Sequence, residues 1–419
     1  MSFRWRRTVF GAMVTLSVCL LGVVSAARVS AVASAHAGLG AGPVRYGGPA
    51  SKHWLVGSRG DPTLAEAAQA APEPAQPMAE NVFKNIQVLK GIPADEFMDT
   101  MGMFASSLLY DCTGCHVQEI LLKREAFAVA TPRIQRARQM VVMVNALNRM
   151  YFGGQPRVTC FTCHRGSGAP EVIPDLAIQY GDGPGENPNS ITIFPDREAK
   201  ADQVFARYIQ ALGGADRVAK LTSFTATGTY IGFNTGNATV PIQIFAKAPD
   251  QRTTVVTMFD GEAVKATDGR NAWAAEEWRQ LPLMTFTGSN VAGARFEAMV
   301  AFPAGIQKAF SQWQVSSAVI DDRDVQILQG TNPGQLPVNL YFDESGLLVR
   351  SVRWSSTPVG TVPTQTEYSD YREVAGVKMP FRTFVTWTNG QNTIELKEVR
   401  PNVTIDPARF ARPAPFKPR

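Results

Sequence analysis

The residues with the most specific chemistry are two pentapeptides, Cys112-Thr113-Gly114-Cys115-His116 and, 48 positions on, Cys160-Phe161-Thr162-Cys163-His164. Two thiols a helical turn apart suit thioether attachment to the two vinyl groups of a haem. A His directly after the second thiol places an imidazole where the iron needs its proximal ligand. Two copies predict two covalently attached haem c groups, held by Cys112, Cys115, Cys160 and Cys163, with His116 and His164 on the irons. The same cysteines could make a four-thiolate zinc site or two redox disulfides, but neither chemistry needs a His after each pair. The chain has only 4 His in 419 residues, so two such adjacencies are not an accident of composition.

Each motif follows a predicted helix. Pro93 at a first-turn position opens Ala94 to Leu109, with Phe97, Met101, Phe104 and Leu108 on one stripe. Thr131-Pro132 reads as an N-cap followed by proline at N1, opening a helix to about Phe152 that stops at Gly153-Gly154. The remaining histidines, His36 and His53, lie near the N-terminus, so methionine is the natural distal ligand. Six methionines fall in the two helices: Met98, Met101, Met103, Met140, Met143 and Met150. Two haems need only two, and the others are core packing.

The stretch 81–176 resembles the cytochrome c subunit of photosynthetic reaction centres. The resemblance is carried by Asn85-Ile86-Gln87-Val88-Leu89, by Glu96-Phe97 with Met101, by Ala137-Arg138-Gln139-Met140 with Met143, and by Val158-Thr159-Cys160 through Cys163-His164-Arg165-Gly166. It implies that Met101 is the distal ligand of the first haem and Met140 of the second, with Met98 or Met103 and Met143 as runners-up. Two departures stand out: two motifs here against the family's four, and a long C-terminal region that the photosynthetic subunit lacks. The resemblance therefore implies a general electron-transfer role. Between Ala126 and Pro170 there are six arginines and no Asp, Glu or Lys. Of these, Arg136, Arg138 and Arg165 are candidate haem-propionate contacts, because planar guanidinium groups pair bidentately with carboxylates. The plainer reading is a solvated helix face.

Residues 1–37 carry Arg4, Arg6 and Arg7, an apolar run from Val9 to Val24 and the small-residue site Ala33-Ser34-Ala35, the pattern of a secretory signal peptide. The expected location is periplasmic. An uncleaved N-terminus, Thr8 to Ala27, would instead give a membrane association. Residues 38–80, rich in Ala, Gly and Pro, read as a flexible tether. Turn signals at 181–195 read as a linker. At 45% hydrophobic and 18% charged, with a net charge of +5, the chain can fill two cores and shows no nucleic-acid signature.

The expected fold class is a multidomain α + β chain: a mainly helical dihaem cytochrome domain over 81–180, then a β-rich domain over 196–419. The second region has no Cys or His. Helices are expected at Ala199–Leu212 and Asp216–Leu221, followed by alternating segments such as Ser223–Gly232, Val240–Lys247, Thr253–Phe259, Val338–Phe342 and Phe381–Thr388. A helical insertion is expected near Arg295 to Gln312. Phrases such as Asp268-Gly269-Arg270 with Trp273, and Gly376-Val377-Lys378 with Pro380, resemble those of periplasmic lipoprotein-carrier-like half-barrels, which implies an antiparallel half-barrel holding apolar ligands. The functional reading is a periplasmic electron carrier with a redox-protein donor and acceptor, and a lipid or quinone at the C-terminal region. The alternatives are a peroxidase-like haem enzyme and a redox-linked lipid- or quinone-binding protein.

Overall fold

A computed structural model of the chain describes residues 77–170, 172–173, 187–276 and 281–417. The expected signal peptide, the tether up to residue 76 and the linker over 181–186 lie outside the described residues.

Six strands come first: β1 Ser223–Gly232, β2 Val240–Lys247, β3 Gln251–Thr257, β4 Glu262–Thr267, β5 Ala272–Ala275 and β6 Met284–Thr285. Seven follow: β7 Gln312–Ile320, β8 Arg323–Thr331, β9 Val338–Phe342, β10 Leu348–Thr357, β11 Gly360–Val374, β12 Val377–Trp387 and β13 Gly390–Pro401. All thirteen make one sheet in the order β6-β5-β4-β3-β2-β1-β13-β12-β11-β10-β9-β8-β7. Each half is an antiparallel meander, as short turns between alternating segments dictate. The halves meet where β1 pairs with β13, Phe224 opposite Pro401. The helical insertion begins earlier than its sequence signal, at Gly288, and Gln312 already belongs to β7.

The helices are α1 Ala79–Val82, α2 Ala94–Leu108, α3 Pro132–Tyr151, α4 Cys160–His164, α5 Ala201–Ala211, α6 Ala215–Lys220 and α7 Gly288–Val300. Helix α7, with the turn Pro303–Ala309, connects β6 to β7 and so leads from one edge of the sheet to the other. Period-two alternation gives each strand two faces. On one face Phe224, Ile242, Leu340 and Phe342 pack against Phe205 and Tyr208 of α5 and Phe296 of α7. On the opposite face Ile327, Tyr341, Val352 and Trp354 form a second cluster. Residues 187–196 run over that face, where Tyr341 donates to the Pro188 carbonyl, Asn339 to that of Ser190 and Ser316 to that of Phe194.

Helix α2 brings the haem-motif segment onto the sheet. Gly102 is the point of close approach: a Cβ there would lie 2.5 Å from Thr388 Oγ1. Asp95, only 3% exposed, accepts from Thr287 N at 2.6 Å, Thr287 Oγ1 at 2.8 Å and Asn290 Nδ2 at 3.2 Å. Asp95 sits in the first turn of α2 and Thr287 is the N-cap residue of α7, so one carboxylate serves two helix N-termini. Asp95→Ala strands a buried N–H and hydroxyl, and urea unfolding should show a loss of about 2–4 kcal/mol. A change within about 0.5 kcal/mol would show that the contact contributes nothing.

Candidate functional site

Helix α3 holds both motifs. Its N-cap Thr131 accepts from Ile134 N at 3.2 Å and donates its hydroxyl to the Cys115 carbonyl at 2.6 Å, so the residue that starts the helix also ties down the first motif. Arg133, two residues on, donates to the Gly114 carbonyl and lies 5.3 Å over the Tyr110 ring. Near the other end Asn148 brackets Val158, donating to its carbonyl at 2.7 Å and accepting from its N–H at 2.9 Å. Thr159 then caps α4, which is the second motif itself, in a reciprocal bond with Thr162. The chain returns alongside α2, where Gly166 N donates to the Ser107 carbonyl at 2.9 Å. Tyr110 is wedged between the motif segments, pressed on Gly114 from the first and Gly168 beyond the second. Nothing in the sequence assigns Tyr110 a role, and Asn148, which belongs to the Ala146-Leu147-Asn148 stretch of the family resemblance, carries no sign there that it holds the second motif.

The imidazoles suit metal ligation. His164 Nδ1 lies 3.0 Å from the Ser167 carbonyl oxygen. A carbonyl only accepts, so Nδ1 carries the proton and Nε2 keeps its lone pair for iron. His116 stands edge-on to Phe127 at 5.0 Å, its buried Nδ1 making at most a poorly aligned contact with the Phe127 backbone. Burial lowers its pKa and so favours the neutral form that binds metal. None of the four cysteines forms a disulfide. Burial raises the Cys112 and Cys115 thiols and pushes Cys160 up to about 11, the reverse of what a redox Cys-x-x-Cys pair requires. Nor do the two pairs converge: among the described residues no group of three or more Cys, His, Asp or Glu could hold a metal ion. These residues fit a covalent haem at each motif better than zinc or a disulfide.

The methionines differ in what surrounds them. At 100° per residue, Asp95, Met98, Asp99, Gly102 and Met103 share one side of α2. Met98 and Gly102 line a cavity against the sheet, and Met103, 5% exposed, packs with Val141, Val359 and Val362. Met101 and Leu108 fall on the other side. On α3, Val141 and Val144 are buried, Met140 is half-buried at the border of that stripe, and Met143 is 41% exposed. Of the three arginines, Arg138 donates to the Asn85 carbonyl at 2.6 Å, while Arg136 and Arg165 are exposed.

A cavity of about 400 Å³ lies between the first face of the sheet and helices α2, α5 and α7. On its wall Glu297 of α7 pairs with Lys265 of β4 at 2.8 Å and Arg353 of β10 at 3.3 Å. Burial works to raise the Glu297 pKa, but attraction to Lys265, Arg353 and Arg252 outweighs it and holds the carboxyl down at about 2. A depressed pKa stabilises the fold above the ordinary value of 4.5, and that contribution is lost as pH falls toward 2. Glu297→Gln should be less stable than wild type at neutral pH but flatter in melting temperature below pH 4.5. Parallel acid profiles would contradict this.

Residues 50–182 match the family described as photosynthetic reaction centre cytochrome C subunit. The match takes in both motifs and both preceding helices, bears out the resemblance carried by their residues, and supports a c-type cytochrome role for this region. The reaction centre cytochrome c subunit of Roseobacter denitrificans is 25% identical over 177 residues, covering 39% of this chain and 47% of that protein. That of Thermochromatium tepidum is 30% identical over 126 residues, covering 28% of this chain and 30% of that protein. The chain thus spans less than half the length of either relative. Among solved structures, a LolA superfamily protein from Nitrosomonas europaea has a TM-score of 0.34 at 11% identity, covering 51% of this chain and 98% of its own. A DUF1329 family protein from Desulfovibrio piger has a TM-score of 0.34 at 10% identity, covering 50% and 96%.

Proposed function

We propose that the chain is a periplasmic dihaem c-type cytochrome that passes electrons between redox proteins and does not open its irons to substrate. The observation that carries this reading is the pair of complete Cys-x-x-Cys-His turns tied to one helix and separated by Tyr110. A haem held by Cys112, Cys115 and His116, and another by Cys160, Cys163 and His164, would supply one-electron chemistry. The protein's part is to fix the ligands. Thr131 and Arg133 hold the first motif, Asn148 and Thr159 the second, and the Ser167 carbonyl sets the His164 tautomer. Met101 and Met140 are the distal ligands in this reading, and a thioether there favours ferrous iron. Residues 81–180 carry the haems, and the sheet region over 196–419 binds a lipid or quinone or docks a partner.

The test is haem content. Protein matured in a periplasm with haem-attachment machinery should show two covalent haems by intact mass and by pyridine haemochrome absorbance. Bound zinc, or a mass without haem, would overturn the proposal.

A further inference from the structure

The cavity under the sheet combines an apolar wall, including Val256, Ile394 and Leu396, with a cluster of charges about Glu297, and Lys378 is a further cation on the wall. Lys265 and Arg353 both bond Glu297. Arg252 of β3 feels Glu297 electrostatically, but its guanidinium makes no hydrogen bond or ion pair among the described residues. Lys265, Arg353 and Arg252 therefore converge on Glu297. The other acids on the wall are Asp95, Asp99 and Glu276; Asp95 is engaged by Thr287 and Asn290, and Asp99 accepts from Asn290 at 2.8 Å. A guanidinium withdrawn from bulk water is costly unless an anion meets it, and its planar fork matches a carboxylate or phosphate. A volume near 400 Å³ lies toward the lower end of small-molecule pockets, about 300–1,000 Å³, which suits one acyl chain better than two.

We propose that this cavity binds a single-chain amphiphile with an anionic head, carboxylate or phosphate, seated against Arg252 while its tail lies along Val256, Ile394 and Leu396. The proposal rests on reading the sheet region as a binding element and is independent of the haems. Arg252→Met removes the charge and breaks no hydrogen bond, which makes it the natural probe.

The full-length haem-loaded protein is titrated calorimetrically, below micelle-forming concentrations, with palmitate, palmitoyl lysophosphatidic acid and methyl palmitate. At least one acid should bind roughly ten- to a hundred-fold more tightly than the ester, the range expected of a charge-assisted hydrogen bond. Arg252→Met should lose that factor for the acid and leave ester binding unchanged. Preference between palmitate and the lysophosphatidate tells which head the site takes. No binding of either acid, ester binding as tight as acid, or an Arg252→Met protein with wild-type acid affinity would each overturn the proposal. The acid-to-ester ratio is read on wild type, so it stands even if the variant folds poorly. Haem content is measured on the same samples: a haem-free chain would defeat the electron-transfer reading and leave the binding result standing.

Discussion

Replacing Cys112 and Cys115 together by Ala should halve covalent haem, from two per chain to one, with the second haem's spectrum and potential close to wild type. The thioether bonds belong to the motif that supplies them. The second motif has its own cap in Thr159 and its own support in Asn148, neither of which touches the first. The reciprocal change at Cys160 and Cys163 should leave the first haem, still anchored by Thr131 and Arg133. Intact mass and haemochrome absorbance count the groups. If either pair of substitutions abolishes both haems in protein that still secretes and melts cooperatively, the motifs do not mature independently. Loss of neither would remove the cysteines from haem attachment.

Met101→His should convert one iron to bis-histidine ligation and lower its potential by about 0.2 V, a fraction of the roughly 0.8 V that axial ligation spans. Imidazole donates more strongly than thioether and stabilises ferric iron. The choice of Met101 agrees with the division of α2, whose Met98, Gly102 and Met103 are committed to the sheet side. Met140→His should do the same to the other haem alone. Potentiometric titration resolves the two steps. Should Met101→Ala and Met140→Ala leave both potentials and the methionine-to-iron charge-transfer band unchanged, the distal ligands lie elsewhere.

Local signals made much of this legible. Alternating segments between turn signals placed β1, β2 and β9 at their observed bounds, and Thr131-Pro132 marked the start of α3, because cap and turn chemistry acts within a few residues. The segments expected at Thr253–Phe259 and Phe381–Thr388 overlap β3 and β12 with shifted ends, whereas β5 and β11 lack such a signal. β5, Ala272–Ala275, is only four residues long and buried on both faces, and β11 carries Pro363 in a polar run. The union of α2 with the sheet was hidden for a different reason. Asp95 and Gly102 look like the polar and small residues of a solvent-facing helix, and their partners lie far along the chain, Thr287 being 192 positions away. The cavity cluster is likewise invisible, since Arg252, Lys265 and Arg353 are ordinary charges until strand register turns them to one face, where Glu297 of α7 meets them. Arg136 and Arg165 mark the limit of charge counting: a run without acids says nothing of which guanidinium touches a cofactor.

Potentiometric titration of the haem-loaded full-length protein, with carbon monoxide added to the reduced form, tests the central claim most directly. Two one-electron steps, a methionine-to-iron band in the oxidised spectrum and no spectral change with carbon monoxide are the predicted result. An iron that binds carbon monoxide at once, or that lacks a sixth ligand when oxidised, would contradict the electron carrier and favour a haem enzyme.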